Sequence, residues 1–60
     1  MVTIKEYRLF TKRDVVVEGP REAAETAART IEYLFPTARR NYAMHDIVVG
    51  VWRVGLELPI

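Results

Sequence analysis

The chain contains no cysteine, no serine and no glutamine, and only one histidine and one asparagine. Without cysteine, no disulfide or thiolate metal clip supplements a small core, and the sequence carries no redox signature of its compartment. Without serine or cysteine, the common covalent nucleophiles are missing. A lone histidine, His45, cannot build a zinc shell of the usual kind. Long apolar runs are absent as well. Lys5, Glu6 and Arg8 interrupt the N-terminal stretch where a signal peptide needs a continuous apolar segment. Nothing approaches the roughly 20 apolar residues of a membrane-spanning helix. Excess charge of one sign is also missing, with nine basic against eight acidic side chains and a net charge of +1. Such a balance exerts little pull on nucleic acid or on an anionic membrane. These absences lead to the expectation of a non-enzymatic protein without metal or cofactor, outside the membrane and cytoplasmic.

What is present is 60 residues, half of them hydrophobic, which is too apolar for disorder. A chain this short forms one domain, residues 1–60, and buries about 60% of its unfolded surface. Val2 to Phe10 is rich in β-branched and aromatic residues. Its apolar positions fall first on Val2 and Ile4, then on Tyr7 and Leu9, which predicts a strand with a bulge near Lys5–Glu6. Thr11 to Asp14 reads as a four-residue hairpin loop leading to a second strand over Val15–Glu18. The three consecutive valines there disfavour helix, because branching at Cβ restricts χ1.

Gly19-Pro20-Arg21-Glu22 is a helix start, with Gly19 as N-cap and Pro20 at the first helical position, where no amide donor is needed. Pro36 marks the far end. Between them, Ala23, Ala24, Ala27, Ala28, Ile31, Leu34 and Phe35 form one apolar stripe, opposite Glu22, Glu25, Thr26, Arg29 and Glu32. The alanines allow close approach to a sheet, and Ile31, Leu34 and Phe35 are expected to fill a wider gap at the other end. Pro36 to Asp46 reads as a long connection, either irregular or with a short second helix over Ala38–Met44. Ile47 to Leu58 reads as the strongest strand, with Val48, Gly50, Trp52, Val54, Leu56 and Leu58 on one face. It is about twice the common strand length, so a bend at Gly50 or Gly55, splitting it in two, is expected.

The resulting fold class is a small α+β domain of ββαβ order, one amphipathic helix on a mainly antiparallel sheet of three, or four, strands. One helix covers one face. An apolar patch around Ile47, Val49 and Val51, with Val15 or Val17, would then need a second cover. A homodimer through Ile47, Val49 and Val51 is expected to supply it, by pairing the edge of the last strand or by stacking sheets. In the competing arrangement the helix covers the valine face and Trp52 is left as a binding patch.

Arg39-Arg40, followed by Asn41 and Tyr42, is the foremost surface candidate, and Lys12-Arg13 in the hairpin loop would join it if the two loops converge. Paired guanidiniums beside an aromatic suit an acidic protein surface or a phosphate and base. The competing role for the Arg pair is contact with the last carbonyls of the helix. Trp52 and Arg53 are residue types that concentrate at interfaces, and Tyr33 and Tyr42 are candidates for exposed contact. His45 and Asp46 are adjacent, but extended neighbours point to opposite sides, so Asp46 is expected only to turn the chain into its strand.

In size and element order, with its Glu22-Ala23 helix start, the chain resembles several phage-borne inhibitor proteins, some anti-CRISPR proteins among them, and small archaeal ribosomal proteins. The resemblance is architectural and transfers no site residue. The expectation is a stoichiometric protein-binding module, an inhibitor of the anti-CRISPR kind, binding its partner through Lys12, Arg13, Arg39, Arg40, Tyr42 and Arg53. The alternative is a small nucleic-acid-binding module using the same basic loops.

Overall fold

A computed structural model describes residues 1–59. Strands β1 (Thr3–Arg8) and β2 (Lys12–Gly19) precede helix α1 (Arg21–Leu34), and strands β3 (Arg39–Asp46) and β4 (Val51–Pro59) follow it. All strand pairings are antiparallel, and the spatial order is β1-β2-β4-β3. The fold class is thus the small α+β domain expected, with four strands and one helix. Two hairpins lie side by side, and α1 carries the chain from the end of the first to the start of the second.

Period-two alternation selects the covered face. Val15 pairs with Leu56 and Val17 with Val54, so these side chains rise on the same side of β2 and β4. With Leu58, Ala24 and Ala28 they are the buried hydrophobic residues among those described, and no described polar or charged residue is buried with them. Ala24 and Ala28 lie one helical turn apart and are fully buried, so the helix axis sits close above the two central strands. Val17, Val54 and Leu56 are the largest fully buried side chains, and each contributes about 1.5–3 kcal/mol by leaving water.

Several boundaries differ from the sequence reading. The first hairpin loop is Leu9–Thr11, so Lys12, Arg13 and Asp14 belong to β2 and not to the loop. The register from Thr3↔Glu18 to Arg8↔Arg13 is unbroken, and β1 has no bulge at Lys5–Glu6. All of β1 is solvent-exposed, so burial imposes no strict alternation on it. The irregularity lies in β3 instead, between Arg40 and Tyr42, where Asn41 is the extra residue. Pro20, not Gly19, occupies the N-cap, and its carbonyl accepts the Ala24 amide at 2.9 Å. Leu34 and Phe35 fill no gap. Both are exposed, and of Ile31, Leu34 and Phe35 only Ile31 packs against the core.

The largest correction concerns residues 39–50. Arg39–Asp46 is neither irregular nor helical but is the edge strand β3. Ile47 to Gly50 is the turn that joins it to β4, not the beginning of one long strand. Asp46 builds this turn: its Oδ1 accepts the amides of Val48 at 3.0 Å and Val49 at 3.2 Å, and its carbonyl accepts the Gly50 amide at 2.7 Å. Gly50 has φ +80°, a left-handed conformation that a residue without Cβ adopts freely. Ile47 and Val49 are therefore exposed turn residues, and only Val51 lies on the sheet, half-buried at the start of β4. Val15 and Val17 face the helix. The apolar second face that called for a dimer does not form, and β4 is interior, so it has no free edge to pair. The two edges are β1 and β3.

Candidate functional site

The expected basic patch is divided by strand geometry. Consecutive residues of a strand point to opposite faces, so Lys12 and Arg39 go to the helix-free face while Arg13 and Arg40 go to the helix side. Arg13 pairs with Glu6 at 3.2 Å across the first hairpin. Arg40 reaches up from β3 to the helix and donates to Glu25 at 2.9 Å and Glu32 at 3.0 Å. Glu25 is the hub of this contact, because it also accepts the Trp52 indole N–H at 2.8 Å. Arg40, then Trp52, holds the Glu25 carboxyl below its ordinary range. Arg40 and Trp52 thus fasten the edge strand to α1 and are not free for a partner.

On the helix-free face, charge runs across the sheet in matched rows. Glu18 of β2 lies between Lys5 of β1, at 3.3 Å, and Arg53 of β4, and Arg53 continues to Asp46 of β3 at 2.7 Å. Arg53, with Lys5 adding to it, keeps Glu18 ionised below its usual range. Asp46 is held down first by the Val49 amide and then by Arg53. At the other end of the face, Lys12 donates to Glu57 at 3.2 Å and Asn41 donates to the same oxygen at 3.4 Å, again lowering the carboxyl. Of the expected contact residues, Lys12, Arg13, Arg40 and Arg53 are engaged with carboxylates. Arg39 lies exposed opposite Glu57 with no ion pair among the described residues.

Between these rows lies a cleft of about 100 Å³. Its lining includes Tyr7, Asp14, Val16, Asn41, Tyr42 and Gly55. Register explains the assembly. Tyr7 pairs with Asp14, Val16 with Gly55, and Gly55 with Tyr42, which places two tyrosines from the two edge strands on one face with a glycine in the central strand. Gly55 is needed there: a Cβ would stand 2.5 Å from Tyr42 Cζ and 2.7 Å from Cδ2. The ring lies over the glycine and covers it, a cross-strand contact that compensates for the missing side chain. Asp14 contributes a carboxylate whose Oδ1 is buried and has no hydrogen-bond partner.

A second depression, of about 280 Å³, lies at the other end of the molecule among Gly19, Pro20, Arg21, His45, Gly50 and Trp52. Arg21 sits 4.3 Å above the indole of Trp52. His45 pairs with Trp52 across β3–β4, away from Asp46, so the two adjacent residues form no acid–base pair. Among the described residues no three His, Asp or Glu side chains gather as a metal site would require. Among the described residues no helix is long and apolar enough to cross a membrane.

Comparison with protein-family models, with curated proteins and with solved structures finds no match. The chemistry of the surface itself therefore has to carry the function. Tyr42 is a site residue that sequence reasoning named. Tyr7, Asp14 and Gly55 were missed, Asp14 because it was placed in a loop, and Gly55 because its only visible role was to bend a strand. The visible signal was the alternation Lys12, Asp14, Val16, Glu18, which marks a half-polar strand face once β2 is given its full length.

Proposed function

We propose that this protein is a small, non-enzymatic protein-binding module that acts by stoichiometric contact through the helix-free face of its sheet, as an inhibitor of the anti-CRISPR kind does. The observation that carries this reading is the pattern of that face. Tyr42 stands partly exposed between two rows of mutually neutralised charge, with Met44 beside Arg53 of one row and Tyr7 level with Glu57 of the other. Aromatic residues and methionine at the centre with a polar rim is the composition of protein interfaces. Matched ion pairs speak against the nucleic-acid alternative, because a cation already held by a carboxylate adds little field for a phosphate backbone.

A photo-reactive phenylalanine analogue placed at Tyr7 or Tyr42 tests the reading in cells. The expected result is one discrete polypeptide adduct from these positions and none from Thr26 on the exposed side of α1. Equal adducts from both faces, or adducts to RNA or DNA, would refute it. Fluorescence anisotropy with single-stranded RNA and DNA should show no saturable binding that weakens steeply with salt. The self-association expected of Ile47, Val49 and Val51 is read separately, by light scattering at several concentrations. A mass that doubles in the wild type but not in Ile47→Lys supports pairing through the β3–β4 turn, and a constant monomer mass removes it.

A further inference from the structure

We infer that the cleft between Tyr7 and Tyr42 is a receptor for a single arginine side chain presented by a partner protein, with Asp14 as its counter-charge; this rests on the helix-free face being the interface. Charge complementarity is the first ground. That face carries the carboxylates of Asp14, Glu18, Asp46 and Glu57, and Glu18, Asp46 and Glu57 each have a cation at ion-pair distance from within the chain. Asp14 has none among the described residues, and its Oδ1 is buried without a donor. Arg13, next to Asp14 in the strand, points to the helix side and pairs with Glu6, and Lys12, the nearest cation on the same face of the strand, is turned to Glu57, which stands directly across from Asp14. A carboxylate with neither a cation nor a donor on its inner oxygen is a costly arrangement, and a charged N–H entering the cleft that Asp14 lines offsets it through the carboxylate as a whole.

Shape is the second ground. The cleft's volume of about 100 Å³ corresponds to roughly three water molecules. That is room for a planar guanidinium and its last methylenes, and not for an indole or a second strand. The walls suit the same group. Tyr7 and Tyr42 are 52% and 40% exposed, each turning part of a ring to the cleft. Guanidinium planes stack on aromatic faces while forking two N–H donors to one carboxylate, which a compact ammonium does not do. Gly55 completes the receptor, because it allows the Tyr42 ring to lie down on β4 and form one wall. The same carboxylate repels phosphate, in keeping with a protein partner.

The test is a nuclear magnetic resonance titration of the intact chain with N-acetyl-arginine amide as probe and N-acetyl-citrulline amide as its neutral, nearly isosteric control. Saturable shifts at Asp14, Tyr7 and Tyr42 with the arginine probe, and at least about tenfold weaker response to citrulline, are expected from loss of a charge-assisted contact. Asp14→Asn, with an otherwise unchanged spectrum, should weaken the arginine probe to the citrulline level. Equal response to both probes, or arginine shifts that map elsewhere, would overturn the inference, and that comparison needs no variant to fold. The photo-crosslinking separates the two readings. A partner adduct at Tyr42 that survives Asp14→Asn undiminished removes the arginine receptor and leaves the interface standing, whereas no adduct at Tyr7 or Tyr42 removes the interface itself.

Discussion

Replacing Gly55 by alanine should damage the cleft and leave the fold. The backbone at Gly55 has no positive φ, so alanine is compatible there, and trimming the freedom of the unfolded chain contributes about 0.4–1 kcal/mol in its favour. Against this stands the Tyr42 ring. A new Cβ at 2.5 Å from Cζ must be relieved to an ordinary contact near 3.5 Å, so the ring has to move by about 1 Å or more. The atoms in the way are the outer ring of an edge-strand side chain, which is already 40% exposed. Full burial of such a ring stabilises by about 1.5–3 kcal/mol, so partial lifting costs on the order of 1 kcal/mol. The two effects nearly cancel. The melting temperature should stay within about 8 °C of the wild type, which is what about 1 kcal/mol means for a domain of this size. Thermal denaturation followed by circular dichroism gives that number. Tyr42 ring resonances should shift, and arginine-probe binding should weaken about tenfold. Global unfolding would refute the claim that the ring is the yielding element. Unmoved Tyr42 resonances with intact probe binding would refute the claim that glycine shapes the cleft.

Leu56→Ala should behave in the opposite way: it removes a fully buried side chain at a cost of about 2–5 kcal/mol. A 60-residue domain has only about 3–9 kcal/mol in total, so urea denaturation should find the variant largely unfolded or near its midpoint without denaturant. Acid should destabilise the wild type. Glu18 and Glu25 titrate below their ordinary 4.5 when folded, so the unfolded chain takes up protons first; stability is complete above about pH 5 and falls as pH drops through 4.5 towards the depressed folded values. Denaturation midpoints measured against pH should fall over that window and fall less in Glu25→Gln; a midpoint that rises on acidification contradicts the ion-pair assignment. Arg21→Ala should alter Trp52 emission and cost about 0.5–1 kcal/mol, since the guanidinium lies over the indole.

The helix and the core could be read along the chain because their signals are local. Ala24 and Ala28 fall at helical spacing between a proline start and a proline stop, and Val54, Leu56 and Leu58 recur at strand spacing, whereas the β2–β4 register was needed to put Val15 and Val17 on the helix side with them. Burial follows from that periodicity. Strand β3 gave no such signal. Arg39 to His45 is exposed throughout, and an edge strand needs only one neighbour and no buried face to form. Its existence depends on β4 offering a free row of amides and carbonyls, which no local pattern reveals. The same limit explains the arginines. Arg39-Arg40 reads as one patch in sequence, yet the pleat sends the two side chains to opposite faces, and whether Arg40 is free depends on Glu25 and Glu32, which the fold brings to it from the helix.

Composition and spacing alone determined that the chain is a small α+β domain without serine or cysteine nucleophiles, with a helix that approaches its sheet through alanines. Only the tertiary structure decided which charges are already answered. Salt bridges such as Lys5–Glu18, Lys12–Glu57 and Arg40–Glu25 join residues distant in sequence, and their geometry is set by strand register. Register also brought Tyr7, Asp14, Tyr42 and Gly55 from four strands into one cleft. A carboxylate left without a partner cannot be recognised until every other pairing on its face is known, and those pairings exist only in the folded sheet.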